Sequence, residues 1–346
     1  MHHRRRPTLA APPPDPFGER TRAALHLRLQ LLGGRFDFET DSARLLRIVQ
    51  RAYARLPPHR LEAASPHLRV RLVLTPRKPR QRARQAAAEP PPVRALAAGG
   101  IVCGAVDGAS FVTLAAQGRT ALIVVAQDLL RYPYHVRYEL LEFAVYVLAA
   151  RVQGLVPLHA ACLGREGEGI LVIGASGAGK STLVLHGVLS GLDLLAEDSV
   201  LVTPRGLLAT GVASFLHLRP DSLRFLERGE RAAVMSGSTV IHRRSGVRKL
   251  EIDLRRPPFR LAAAPLRIRA VVFLSGAAAR GRELLKPLPK KSALERLAAS
   301  QRYAAHQPGW SVFRRRLSLL PMYELRRGGH PRESVAAVRA LLDAGS

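Results

Sequence analysis

Residues 169–182 read Gly-Ile-Leu-Val-Ile-Gly-Ala-Ser-Gly-Ala-Gly-Lys-Ser-Thr, and within them Gly174–Ser181 satisfies the phosphate-binding loop pattern G-x-x-x-x-G-K-[ST]. The flanks suit the pattern. Ile170–Ile173 is a short apolar run fit for a buried strand, and from Ser181 onward Leu183, Val184, Val188 and Leu192 recur at helical spacing. Gly174, Gly177 and Gly179 permit a tight turn and let backbone N–H groups approach phosphate oxygens, and a helix N-terminus adds partial positive charge at the same place. The stretch Gly174, Ala175, Ser176, Gly177, Ala178, Gly179, Lys180, Ser181 and Thr182 is therefore the candidate nucleotide cradle. Lys180 is placed to reach the β- and γ-phosphates, and the Ser181 hydroxyl to ligate Mg²⁺.

Composition narrows the partners. The 346 residues suffice for two domains with sizeable cores. Formal charge is +28, but only six of the 54 basic residues are Lys, and the Arg, Ala, Leu, Gly and Pro abundance reads as a coding bias. With aromatics at 5% and no recognisable nucleic-acid module, nucleic-acid binding is not the expected role. Two cysteines far apart, Cys103 and Cys162, fit a reducing compartment, and no apolar run approaches a membrane span. The start, Met-His-His-Arg-Arg-Arg-Pro, lacks the apolar segment of a secretory signal. A cytoplasmic protein without membrane contact is expected.

Along the chain, residues 1–22 are rich in Pro and Arg and are expected to be a disordered tail. Residues 23–152 read as an α+β accessory domain. Leu25–Glu39 alternates as two strands about Gly33-Gly34, Asp41-Ser42 opens a helix stopped by Pro57-Pro58, and Leu68–Leu74 is a further strand. Residues 75–95 form a flexible basic and Pro-rich loop, Gly99–Ala126 an antiparallel meander, and Pro133–Val152 one helix. The Tyr132, Tyr134 and Tyr138 cluster at its start reads as packing. In residues 153–346, Pro220–Leu226 starts a short helix, residues 228–248 read as loop, Lys249–Leu254 and Ile268–Leu274 as strands, and Ser292–Ala299 and Glu333–Leu342 as helices. Arg243, Arg244, Arg248 and Lys249 are either a solvated basic loop or a clamp for phosphates or an acidic substrate tail. Gln301–Trp310 is either a substrate-side loop or packing.

Two further features bracket the loop: Pro-Leu-His159-Ala-Ala-Cys upstream and Leu194-Leu-Ala-Glu197-Asp198-Ser-Val downstream. The order His, strand, phosphate loop, helix, acidic pair resembles the catalytic core of the HPr kinase/phosphorylase family, over about residues 156–204. The chain is similar to that family's divergent serine-kinase relatives. The resemblance implies an α/β fold with a P-loop core of the HPr kinase / PEP carboxykinase-like type behind the N-terminal α+β domain. It implies an ATP-dependent kinase, using ATP and Mg²⁺, that phosphorylates a serine hydroxyl on a small protein or peptide. Kinase action on a small hydroxylated metabolite and a non-catalytic nucleotide-binding regulatory role are the alternatives.

By the same resemblance Lys180 holds the donor, Asp198 completes the Mg²⁺ site with Ser181, and Glu197 takes the position of the general base. The family has Asp there, so the reach differs by one methylene. His159 matches a histidine near the catalytic acid. Leu250-Glu251-Ile252 matches only the first three residues of the family's L-E-I-R-G-L-G signature, which makes Glu251 a weak second metal candidate and implies a kinase without reverse activity. The accessory domain is left with substrate recognition, shielding of the nucleotide, or homo-oligomer contact.

Overall fold

The structure is a computed structural model and describes residues 23–61, 64–76, 90–244, 246–279, 281 and 283–344. The expected tail at 1–22 and most of the expected loop at 75–95 lie outside the described residues. The architecture is mixed α/β, with three sheets among the described residues.

The first sheet comprises β1 (Leu25–Leu31), β2 (Gly34–Thr40), β3 (His67–Thr75), β4 (Arg94–Ala98), β5 (Ile101–Ala105), β6 (Phe111–Ala115) and β7 (Thr120–Ala126), in the order β1-β2-β3-β7-β6-β5-β4. The β1–β2 turn is made by Leu32 and Gly33, both at positive φ, as the Gly33-Gly34 pair anticipates. Helix α1 (Ala43–Tyr53) begins where Ser42 Oγ accepts the Leu45 N–H. Its Leu45, Val49 and Ala52 join Phe36, Phe38, Val70 and Ile123 in one core; apart from Ala52, each of these side chains contributes about 1.5–3 kcal/mol on full burial. The span 75–95 is strand at both ends, since β3 runs to Thr75 and β4 starts at Arg94.

The expected helix at 133–152 is interrupted. A single turn, α2 (Pro133–His135), leads into a π-helical segment, Val136–Glu142, and then α3 (Phe143–Gln153), which ends on Gly154 in the left-handed conformation. The wider π turn brings Arg137 and Glu142, five residues apart, into an ion pair at 3.2 Å, while Leu140 and Leu141 stay buried.

The second sheet carries β8 (Val156–Leu158), β9 (Ala161–Arg165), β10 (Glu168–Ile173), β11 (Asp193–Ala196), β12 (Val200–Val202), β13 (Leu208–Gly211), β17 (Leu266–Ala278), β18 (Leu285–Pro287) and β19 (Met322–Arg327). The third is β14 (Phe215–Leu218), β16 (Arg248–Asp253) and β15 (Ser238–His242), in that order. Helix α4 (Lys180–Leu189) follows β10; later come α5 (Arg228–Ser236), α6 (Lys290–Ser300), α7 (Arg302–Ala305), α8 (Trp310–Leu317) and α9 (Pro331–Asp343).

β10 is buried on both faces. Ile170 and Val172 pack with α4 and α9, whereas Leu171 and Ile173 pack with α6 and α8, which explains its unbroken apolar run. Residues 228–248 depart from the expected loop. Helix α5 starts at a capping box between Glu227 and Glu230, and β15 follows. The Arg- and Gly-rich composition concealed both elements. Among the described residues no helix is long and apolar enough to cross a membrane.

Candidate functional site

Strand register gathers the site. β10 delivers the glycine-rich loop at its C-terminal end, and β9 pairs antiparallel with both β10 and β11. β11 stops at Ala196, so the acidic pair lies in the bend before β12. β12 pairs antiparallel with β8 through Val200↔Leu158. Carrying that register one step further sets Ser199 opposite His159, beside Asp198. His159, the loop and the acidic pair thus meet at one sheet end, although 39 residues of sequence separate His159 from Asp198.

The loop is shaped for an anion. Gly177 (φ 85°) and Gly179 (φ 96°) are left-handed, and a Cβ on either would meet nothing within 4 Å, so both face open space. Helix α4 starts at Gly179 without a side-chain cap, leaving its first N–H groups uncapped by any side chain. Gly174 has a different reason: a Cβ there would press on Leu274 at 3.1 Å. Thr182 turns away, with its hydroxyl 3.0 Å from Ser222 Oγ.

Lys180 Nζ donates to Asp198 Oδ1 at 2.5 Å and lies 3.4 Å from His159 Nε2. An ammonium can only donate, so Nε2 is the lone-pair nitrogen; the proton sits on Nδ1, which is 3.4 Å from Asp198 Oδ1. Burial, with Lys180 acting the same way, lowers the His159 pKa against the pull of Asp198, in keeping with that neutral ring. Burial would raise Asp198, but Lys180 and His159 outweigh it and hold it below the usual carboxylate range. Ser181 Oγ donates to Glu197 Oε1 at 2.5 Å. Burial, then the neighbouring Asp198, push Glu197 up to about 7.

The two acids therefore occupy different surroundings. Glu197 is 6% exposed and bonded to the residue expected to hold Mg²⁺, whereas the Asp198 side chain is 33% exposed and paired with His159, itself 58% exposed. The hydroxyl of Ser181 and the Glu197 carboxylate form an all-oxygen donor set suited to a hard divalent cation.

Two residues hold this arrangement without announcing themselves in the sequence. Gln301 is buried; its Oε1 accepts the His159 N–H at 2.7 Å, and its Nε2 donates to the His159 carbonyl at 3.0 Å. His217 is the second. Arg243 donates to its Nδ1 at 3.0 Å, so Nε2 carries the proton and donates to Glu251 at 3.2 Å. Arg243 also lies 4.8 Å from the centroid of the Tyr138 ring.

Glu251 is placed otherwise than expected. Both its oxygens are taken by Arg137 from the π segment, with Arg51 Nη2 at 3.2 Å and His217 completing the shell. A metal would have to displace a bidentate guanidinium, and the carboxylate serves instead as a buried ion-pair centre. Arg244 is likewise committed, to Glu139 and to the carbonyls of Pro90 and Pro91.

No family model matches the chain, and no curated protein does. Among solved structures it is similar to the Hpr(Ser) kinase/phosphatase from Coxiella burnetii, at 14% identity and a TM-score of 0.27, over 55% of this chain and 93% of that one.

Proposed function

We propose that the protein is an ATP-dependent phosphotransferase that moves the γ-phosphoryl group to an alcohol oxygen, with a serine hydroxyl of a small protein or peptide as acceptor. The observation that carries the reading is the convergence of an open, left-handed glycine loop, Lys180, Ser181, His159 and two unlike carboxylates at one sheet end. Loop amides and the start of α4 bind the phosphates, and Lys180 leaves Asp198 for the donor when it arrives. Ser181 and Glu197 would hold Mg²⁺, whose chemistry is to neutralise charge on the β- and γ-phosphates.

The geometry favours exchanging the roles first read for the two acids. Glu197 is enclosed beside Ser181, while the more exposed Asp198, once Lys180 moves to the donor, accepts the acceptor's proton. His159, with its Nδ1 proton toward Asp198, orients that carboxylate.

The test is transfer of labelled γ-phosphate to a panel of serine peptides and hydroxylated metabolites. Asp198→Asn is expected to bind nucleotide as the wild type does and to lose transfer by roughly 10²–10⁴-fold. Transfer at the native rate would remove Asp198 from the reaction, and label on a metabolite alone would move the acceptor class.

A further inference from the structure

The third sheet turns one face to the core and the other toward the site. Leu216, Leu218, Leu250 and Ile252 are core. The alternate positions Lys249, Glu251 and His217 therefore share the opposite face, with His217 directly across from Glu251 in the β14–β16 register. On that face the accessory region supplies a roof. Tyr134 stacks on Tyr138 with ring centroids 5.6 Å apart, and both rings meet His217 edge-on.

Two cations on this face have no carboxylate at ion-pair distance among the described residues. Arg243 is fixed by the relay Arg137–Glu251–His217 and by the Tyr138 ring, yet its buried Nε has no hydrogen-bond partner among the described residues. Lys249 is half-buried and has neither a hydrogen bond nor an ion pair among the described residues. Both lie close enough to the acidic pair to feel it. Burial and then Arg243 lower the Lys249 pKa, and the charges of Glu197 and Asp198 oppose that. Asp198 in turn acts on Arg243. A half-buried ammonium and a rigid guanidinium with an idle donor are costly unless an anion comes to them. The glycine loop has its own uncapped amides and Lys180 for a donor's phosphates.

We propose that Arg243 and Lys249 form a seat for a carboxylate carried by the acceptor beside its serine hydroxyl, either an adjacent Asp or Glu side chain or the chain's own C-terminus. The seat anchors the acceptor so that its hydroxyl falls against Asp198. This rests on the phosphotransferase reading above and adds a substrate feature to it: the enzyme selects serines flanked by negative charge. The accessory region takes part indirectly, because the π segment holds Arg243 in place.

The test uses protein loaded with Mg²⁺ and the non-hydrolysable donor AMP-PNP, titrated with synthetic peptides in matched pairs. One pair is Ser-Asp against Ser-Asn; the other ends in serine as a free carboxylate or as an amide. The charged member of at least one pair is expected to bind about tenfold tighter or more, and whichever pair discriminates identifies the carboxylate's source. Lys249→Gln and Arg243→Gln should each erase the difference while changing the AMP-PNP Kd by less than twofold, and Lys249→Arg should restore part of it. Equal binding within both pairs overturns the inference. So does a loss of AMP-PNP affinity in the variants with peptide discrimination intact, because the cations would then be gripping the donor's γ-phosphate. Failure of the wild type to bind AMP-PNP at all would instead strike the phosphotransferase reading beneath it.

Discussion

At the residue scale the site is held by contacts to backbone as much as by charge. Gln301 grips both polar backbone groups of His159 from a buried position. Gln301→Ala would leave a buried N–H and C=O without partners, and a loss of roughly 1–3 kcal/mol is expected, read from urea unfolding midpoints. An unchanged midpoint would mean that water replaces the amide fully. The same variant should lower phosphoryl transfer more than nucleotide affinity, since the proton-bearing Nδ1 of His159 faces Asp198. That His159, Lys180 and the acidic pair would lie near one another was legible through the order of motifs in which the chain resembles the HPr kinase/phosphorylase family. The role of Gln301 was not, because it lies 142 residues from His159 and a single glutamine in the span Gln301–Trp310 carries no periodic or motif signal for that contact.

At the scale of elements, the third sheet and the π segment are joined by the Glu251 cluster. Burial alone would raise the Glu251 carboxyl, but the hydrogen bonds from His217 and Arg137 outweigh it and hold it down to about 2. A folded-state pKa below the unfolded value of 4.5 means that the contribution is full above about pH 4.5 and is lost as pH falls toward 2. Removing the carboxylate takes away the bidentate partner of Arg137 and leaves it the Glu142 ion pair, so Glu251→Ala should cost about 3 kcal/mol, the low end for a broken buried pair, at neutral pH. Chemical unfolding at several pH values checks this: the gap between wild type and variant should close on acidification. A gap independent of pH would show that lost packing, not charge, accounts for it. The strands and helices with clean alternation or helical spacing, such as β1, β2, β10, α4 and α9, were readable. Helix α5 and β15 were not, since their apolar positions are few and interspersed with Arg, Gly and Ser. The π segment is invisible to any 3.6-residue pattern.

Across the whole molecule, the first and second sheets share buried surface. Leu201 of β12 packs into the core of the first sheet. His59 is buried, with Nδ1 2.9 Å from Thr210 Oγ1 and Nε2 2.9 Å from the Ala262 carbonyl. Ser214 Oγ donates to the Ala52 carbonyl, and Arg255 donates to the carbonyls of Arg51 and Ala54. Splitting the chain near residue 153 would expose these polar groups along with apolar surface. Thermal unfolding of the full chain should therefore be one cooperative transition, and residues 153–346 expressed alone should melt lower or fail to fold. Two well-separated calorimetric peaks would contradict this. The α/β character could be read from the chain, whereas the joining of the two halves depends on pairs such as Glu251–Arg137, 114 residues apart, that no local pattern reveals.

The glycine loop as a phosphate cradle is tested most directly by a crystal structure of the protein with AMP-PNP and Mg²⁺. The expected result has the β-phosphate against the backbone amides of Gly177–Ser181, with Lys180 Nζ swung from Asp198 onto the phosphates and Asp198 left facing open space. Phosphates bound elsewhere, or Lys180 still 2.5 Å from Asp198 with nucleotide present, would contradict it.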